Sequence, residues 1–175
     1  MEVSPPETLM ERDFLAPEPL VTPQGTVAFT DETWTIDPRE LQIFFQAEEV
    51  YWTAHRTIEQ WRHLLSCSRL LTARLVPEGS KGGRLVAATR LWSDHAYEAK
   101  LYDMVAARDM ADLEVLTQLI KWALRHPWVG DVQRFVLETR DRAHFYPRFG
   151  FRPGQELETF HMRVLVGDLE ALGLR

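Results

Sequence analysis

The sequence predicts an α/β fold of the mixed α+β kind, with a central mixed β-sheet flanked by helices. Three observations predict it. Two β-rich runs, residues 70–76 and 84–92, flank the turn Glu78-Gly79-Ser80-Lys81-Gly82-Gly83, as an antiparallel hairpin requires. A third run, residues 99–107, follows closely. A helix-patterned stretch, residues 112–125, then separates it from a fourth run at 132–138, and a crossover of that length joins parallel neighbours.

Local signals place each element in order. Residues 1–31 carry Pro5, Pro6, Pro17, Pro19 and Pro23, which lack the N–H donor and fix φ, so no helix is expected there. Only scattered apolar residues (Met10, Phe14, Leu15, Leu20, Val21) fill the gaps. This stretch is expected to be a proline-rich N-terminal arm. It is either loosely draped, or packed over a pocket or on the other subunit of a homodimer. The folded domain is expected over residues 32–175. Thr33-Trp34-Thr35-Ile36 reads as a short strand. Asp37 and Pro38 supply an N-cap and a first-turn proline for a helix through Leu41, Phe44 and Phe45. Thr57 opens a second helix, with Gln60 at capping-box spacing and Ile58, Trp61, Leu64 and Leu65 on one face. The third helix carries Leu113, Leu116, Ile120, Ala123 and Leu124 on one face and stops before Pro127. A short helix over 141–149 and a last strand over 159–166 complete the order β-α-α-β-β-β-α-β-α-β.

At 175 residues, 45% hydrophobic and 26% charged, the chain has the make-up of one soluble globular domain. It is too apolar for the disordered classes, and it has no run of roughly 20 apolar residues to cross a membrane. Acidic residues outnumber basic ones, 26 to 20, which disfavours nucleic acid as a partner because phosphate binding needs a basic face. Cys67 is the single cysteine, so no internal disulfide forms; it is expected as a buried thiol at a helix end. The N-terminus has no basic-then-apolar pattern, so no secretory signal is read and a cytoplasmic location is expected. The histidines are scattered without ligand spacing, and no metal is expected.

The element order, together with His144-Phe145-Tyr146-Pro147-Arg148-Phe149-Gly150-Phe151, resembles the GNAT superfamily of acyl-CoA-dependent N-acyltransferases. Members carry an F-Y-x-x-F-G-F segment before their last strands. The resemblance runs from about Thr33 to Arg163. In physical terms Phe145, Phe149 and Phe151 pack this segment on the sheet, and Gly150 permits a tight reversal. The resemblance implies that Tyr146 protonates a departing thiolate. It also implies that Met104, Val105 and Ala106 mark one part of the CoA region, and Ala111, Asp112, Glu114 and Leu116 another.

That second part departs from the family. The family's diphosphate loop reads Arg/Gln-x-x-Gly-x-Gly/Ala, whose glycines let phosphate approach backbone N–H groups at a helix N-terminus. The matching residues here are Ala111-Asp112-Leu113-Glu114-Val115-Leu116, and no glycine occurs between Gly83 and Gly130. Asp112 suits the N-cap, and Glu114 already satisfies the helix dipole. With Asp109 upstream, a diphosphate would meet two or three like charges, and Arg108 offsets one. Each uncompensated charge at about 4 Å costs about 4 kcal/mol in a partly buried site. Acetyl-CoA is therefore disfavoured, and the cofactor is left open.

In this family two parallel strands splay apart, here 99–107 and 132–138. Near that split the sequence places Tyr102, Asp103, Glu138, Thr139 and Tyr146. Facing them are Tyr51, Trp52, His55, Trp92, His95 and Tyr97. Tyr146, Asp103 and Glu138 are the catalytic candidates. Tyr51, Trp52, His55, Trp92, Tyr97 and Tyr102 are the substrate-binding ones, lining an aromatic pocket for a small molecule. Asp103 stands mid-strand, where an acid is uncommon unless functional or paired, and Arg90 on the adjacent strand is the structural partner to weigh. Three functions follow. The first is a repurposed enzyme doing acid–base chemistry (decarboxylation, cyclisation or isomerisation) without acetyl-CoA. The second is an acetyl-CoA-dependent N-acetyltransferase with an atypical loop. The third is a non-catalytic binding module.

Overall fold

Six strands lie side by side in chain order in one sheet: β1 (Leu20–Thr22), β2 (Gly25–Asp31), β3 (Arg69–Val76), β4 (Arg84–Ser93), β5 (Glu98–Ala106) and β6 (Arg134–Leu137). The computed structural model describes residues 16–53, 55–80, 82–110, 113–140 and 142–154. These belong to two units, Met1–Glu138 and Thr139–Arg175. All neighbouring strands pair antiparallel except β5 and β6, which are parallel. Helix α3 (Leu113–Arg125) is the expected crossover between them. Helices α1 (Pro38–Ala47) and α2 (Ile58–Ser66) join β2 to β3. The predicted α/β class, with a mixed sheet and flanking helices, is what the chain adopts.

The expected arm is corrected over residues 20–31, which form β1 and β2. Thr22 pairs with Gly25 across Pro23-Gln24, and the Thr22 hydroxyl donates to the Gly25 carbonyl at 2.8 Å. A proline that breaks a helix is well placed at the first corner of a turn, where its φ is already set. Gly25 has φ +138°, and a Cβ there would stand 2.5 Å from the Val76 carbonyl oxygen, so the chain needs glycine at this point. Residues 1–15 lie outside the described residues. A second correction concerns Thr33-Trp34-Thr35-Ile36, which is a turn. The N–H groups of Thr35 and Ile36 both donate to the Glu32 carbonyl at 3.0 Å. The Thr33 hydroxyl accepts from the Leu70 N–H at 2.8 Å, which ties this turn to the start of β3.

The helix starts follow the sequence. Asp37 Oδ1 accepts from the Arg39 N–H at 2.9 Å. Thr57 and Gln60 form the reciprocal capping box, at 2.8 and 3.2 Å. Phe45 and Trp61 bring α1 and α2 together with ring centroids 5.1 Å apart. Helix α3 packs on β3, β4 and β5 through Val115, Leu116, Leu119, Ile120 and Ala123, all buried. His126 follows it, buried, with Nδ1 accepting from the Trp128 N–H at 3.3 Å. Burial lowers its pKa, only partly opposed by Asp31, so it stays neutral at pH 7. Cys67 is exposed at the end of α2, contrary to the expected burial, with Sγ donating to the His63 carbonyl at 3.4 Å.

In the second unit the expected helix over 141–149 is reduced to a 3₁₀ turn, Tyr146–Phe149. Pro147 explains the shortening, because it removes an N–H donor and biases Tyr146 away from helical backbone. Gly150 takes the left-handed conformation, φ +88°, that makes the expected reversal. Phe145 is buried, with the Phe149 ring 5.4 Å from its own. Tyr146 is half-buried, edge-on to Phe151 at 6.0 Å. The expected strand over 159–166 lies outside the described residues.

Candidate functional site

The site is built on an irregularity in β5. Arg90 pairs with Tyr102 and Ala88 with Val105, so β5 carries one residue more than β4 across this stretch. The extra residue is accommodated at Asp103, whose φ is +53°. Aspartate tolerates that left-handed conformation better than most residues. A bulge re-aims side chains, and here Tyr102 and Asp103 both reach Arg90. The Arg90 guanidinium lies 4.6 Å from the Tyr102 ring centroid, and its Nε donates to Asp103 Oδ2 at 2.9 Å. From the loop before α2, Arg56 closes on the same carboxylate, Nη1 to Oδ2 at 2.7 Å and Nη2 to Oδ1 at 2.9 Å. Arg56 also stacks over Trp61 at 4.8 Å.

This arrangement removes Asp103 from the catalytic candidates. Its side chain is 3% exposed, and both of its oxygens accept from guanidinium groups. Burial alone would raise its pKa. The bonds from Arg56 and the charge of Arg90 outweigh that, and hold the carboxyl below its ordinary value. A carboxylate so stabilised is a poor proton acceptor. The sequence marks Arg90 as its partner. It does not mark Arg56, which lies 47 residues away with no local signal.

The other candidates are dispersed. Tyr51 and Trp52 are exposed in a 3₁₀ turn, their rings 4.9 Å apart edge-to-face. His55 is exposed in the same connection. Trp92 is half-buried on β4, two residues from Arg90 and therefore on the same sheet face. Tyr97 stands at the other end of β5, under the Arg134 guanidinium at 4.8 Å. His95 Nδ1 lies 2.8 Å from the Trp128 carbonyl oxygen. Glu138 is exposed just past β6. Thr139 and Tyr146 belong to the second unit. A shallow hollow of about 440 Å³ runs along α2, lined by Arg56, Glu59, Gln60, His63 and Leu64. It meets the Asp103 cluster only at Arg56. Among the described residues, no three His, Cys, Asp or Glu side chains gather as a metal site requires, and no helix is long and apolar enough to cross a membrane.

Beyond the cluster, β5 runs on past the end of β6. Their parallel ladder ends at Leu101↔Leu137, whereas β5 continues to Ala106. Ala107 directs its N–H to the Val86 carbonyl on β4 at 2.7 Å, so strand alternation turns that of Ala106 toward the opened side. A parallel pair joined by a helix that crosses over is the arrangement expected from the resemblance. Solved structures share the fold. An acetyltransferase of the GNAT family from Streptococcus pneumoniae TIGR4 matches with a TM-score of 0.61 at 17% identity, covering 79% of this chain and 97% of its own. The fold is that of the GNAT acetyltransferases. A Xanthomonas campestris pv. campestris protein classed as a GNAT acetyltransferase gives a TM-score of 0.62 at 22% identity, over 78% of this chain and 93% of its own. Glucosamine-6-phosphate N-acetyltransferase from Arabidopsis thaliana gives 0.55 at 9% identity, over 81% and 99%. Neither a family model nor a curated protein matches the sequence.

Within the GNAT fold, the described start of α3 carries an acid, Glu114, in its first turn. Ala111 and Asp112 lie outside the described residues. Glu114 is exposed in the first turn of α3, its Oε1 accepting from Gln118 Nε2 at 2.6 Å. The two cations beside this region are already committed. Arg84 holds Asp109 at 2.6 Å. Arg108 pairs with Glu49 and donates its backbone N–H to Glu48 at 3.0 Å. The bond to Glu49 holds the Arg108 guanidinium above its ordinary pKa. Arg108, expected to offset a carboxylate of the loop, is thus taken by two others.

Proposed function

We propose that the chain is a GNAT-fold enzyme acting on a small molecule without acetyl-CoA. The chemistry is of the acid–base kind: decarboxylation, cyclisation or isomerisation. These reactions rearrange a single substrate, so they need an acid and a base but no acyl donor. Tyr146 is the acid that returns a proton, and Glu138 is the base that removes one. Asp103 serves instead to fix Arg56 and Arg90. One observation supports this reading above the rest: among the described residues, Asp109 and Glu114 flank the start of α3, and Arg84 and Arg108 beside them are already paired. The site takes a small molecule, with Trp92 and Tyr102 beside Arg90 as the aromatic contacts.

The second reading, an acetyl-CoA-dependent N-acetyltransferase, is supported by the opened β5–β6 pair and by the similar solved structures. The two readings part on one assay. Incubated with acetyl-CoA and a panel of primary amines, the full chain is expected to release no thiol above the uncatalysed rate. Steady thiol release that falls by about 100-fold or more in Tyr146→Phe would overturn the first reading in favour of the second.

A further inference from the structure

Arg90 is buried, its side chain 6% exposed, yet it makes one hydrogen bond among the described residues, from Nε to Asp103. Its terminal nitrogens, Nη1 and Nη2, donate to nothing there. Neither is sealed from solvent, so this side of the guanidinium is open to a ligand. Arg56 offers no such open fork, because both its terminal nitrogens reach Asp103. With two guanidinium groups on one carboxylate, the cluster holds a net charge of about +1 in a largely dry setting. The unused side of Arg90 is a flat fork of N–H groups, whose geometry matches a carboxylate or a phosphate edge. Tyr102 stacks on the guanidinium at 4.6 Å and is itself exposed, so it marks the way in. Lys100, two residues before Tyr102 on the same strand face, is paired with Glu98 at 3.8 Å, so the positive charge here is that of the arginine cluster.

We infer that Arg90, backed by Asp103 and Arg56 and covered by Tyr102, is an oxyanion-binding site. It receives the carboxylate or phosphate of a small molecule. This rests on the proposed function in one respect, that the molecule bound is the substrate of the site beside β5. Asp103 then has a positioning role. By holding Arg90 through Nε and Arg56 through its ends, it aims the free fork outward, and the bulge exists to place it there.

Calorimetric titration of the full chain with inorganic phosphate and with benzoate tests the site. The expected result is saturable one-to-one binding of at least one probe. The tighter probe assigns the oxyanion, tetrahedral or planar. Arg90→Lys, which keeps the charge but loses the fork, is expected to weaken that binding by about tenfold or more. Tyr102→Ala touches neither the carboxylate nor its bonds; it is expected to weaken binding by about threefold while the melting temperature holds. Absence of saturable binding by either probe overturns the proposal. So does binding that both variants leave unchanged. The thiol-release assay is independent. Thiol release alongside Arg90-dependent oxyanion binding overturns the proposed function and keeps this site, and neither signal together does the reverse.

Discussion

Asp103→Ala is expected to cost about 3–5 kcal/mol of stability, among the larger effects a single substitution has. The cause is the pair of guanidinium groups left behind without a counter-charge. Arg90 is nearly dry, and after the change its charge has no partner within the cluster. Arg56 is 22% exposed, so it turns toward water and recovers part of its stabilisation. Asp103→Asn keeps the shape and one acceptor but no charge, and should fall between alanine and the native residue. Arg56→Met should cost less than either. Urea denaturation midpoints measure the series, and a loss below about 1 kcal/mol for Asp103→Ala would contradict the reading. The pH dependence has a definite sign. Because the folded pKa of Asp103 lies below the ordinary aspartate value, its contribution is fully present above about pH 4. It is lost as pH falls further, through the folded pKa.

A second large effect is expected at Arg74 on β3. Its guanidinium joins Glu32, by Nε at 2.5 Å and Nη2 at 2.8 Å, to Glu40, by Nη1 at 2.7 Å and Nη2 at 2.8 Å. It also donates to the Gly83 carbonyl at 3.0 Å, and so ties α1 and the β2–α1 turn to the β3–β4 hairpin. The bonds to Glu40, then those to Glu32, push its pKa above the ordinary arginine value. Arg74→Met should cost about 2–3 kcal/mol at pH 7; Glu40 is 43% exposed, which tempers the figure. Two carboxylates would then face each other without a cation. Their mutual repulsion then accounts for much of the deficit. Glu32→Gln in the Arg74→Met background should recover much of the deficit at pH 7. Thermal melts at pH 7 read this, and a double variant no more stable than Arg74→Met would contradict it.

Much of the fold is legible in the sequence because its signals are local. The hairpin turn, the Asp37 and Thr57 caps and the long amphipathic helix each lie within a few residues. The parallel pairing of β5 and β6 follows from chain order and handedness. Proline misleads. Pro23 argues equally for a disordered arm and for a hairpin corner, and only the partner strand β3 decides between them. The turn at Thr33 reads as a strand because Thr, Trp and Ile favour extended backbone. The Glu32 carbonyl, which bonds two successive N–H groups, overrides that preference. At the site, the sequence marks Asp103 as anomalous without saying why. Its meaning depends on a bulge and on Arg56, and both arise from long-range pairing. The missing glycines before α3 are legible outright. The commitment of Arg84 and Arg108 to carboxylates is not, since Glu48 and Glu49 reach Arg108 from the end of α1.

The proposed function requires that the phosphates of an acyl-CoA find no complement at the start of α3. Its most direct test compares the affinities of acetyl-CoA and acetylpantetheine, which lacks the nucleotide and diphosphate, by calorimetry at low salt. Equal and weak binding of the two, in the millimolar range or undetectable, is the expected result. Micromolar binding of acetyl-CoA, at least about 100-fold tighter than acetylpantetheine and weakened by added salt, would contradict it.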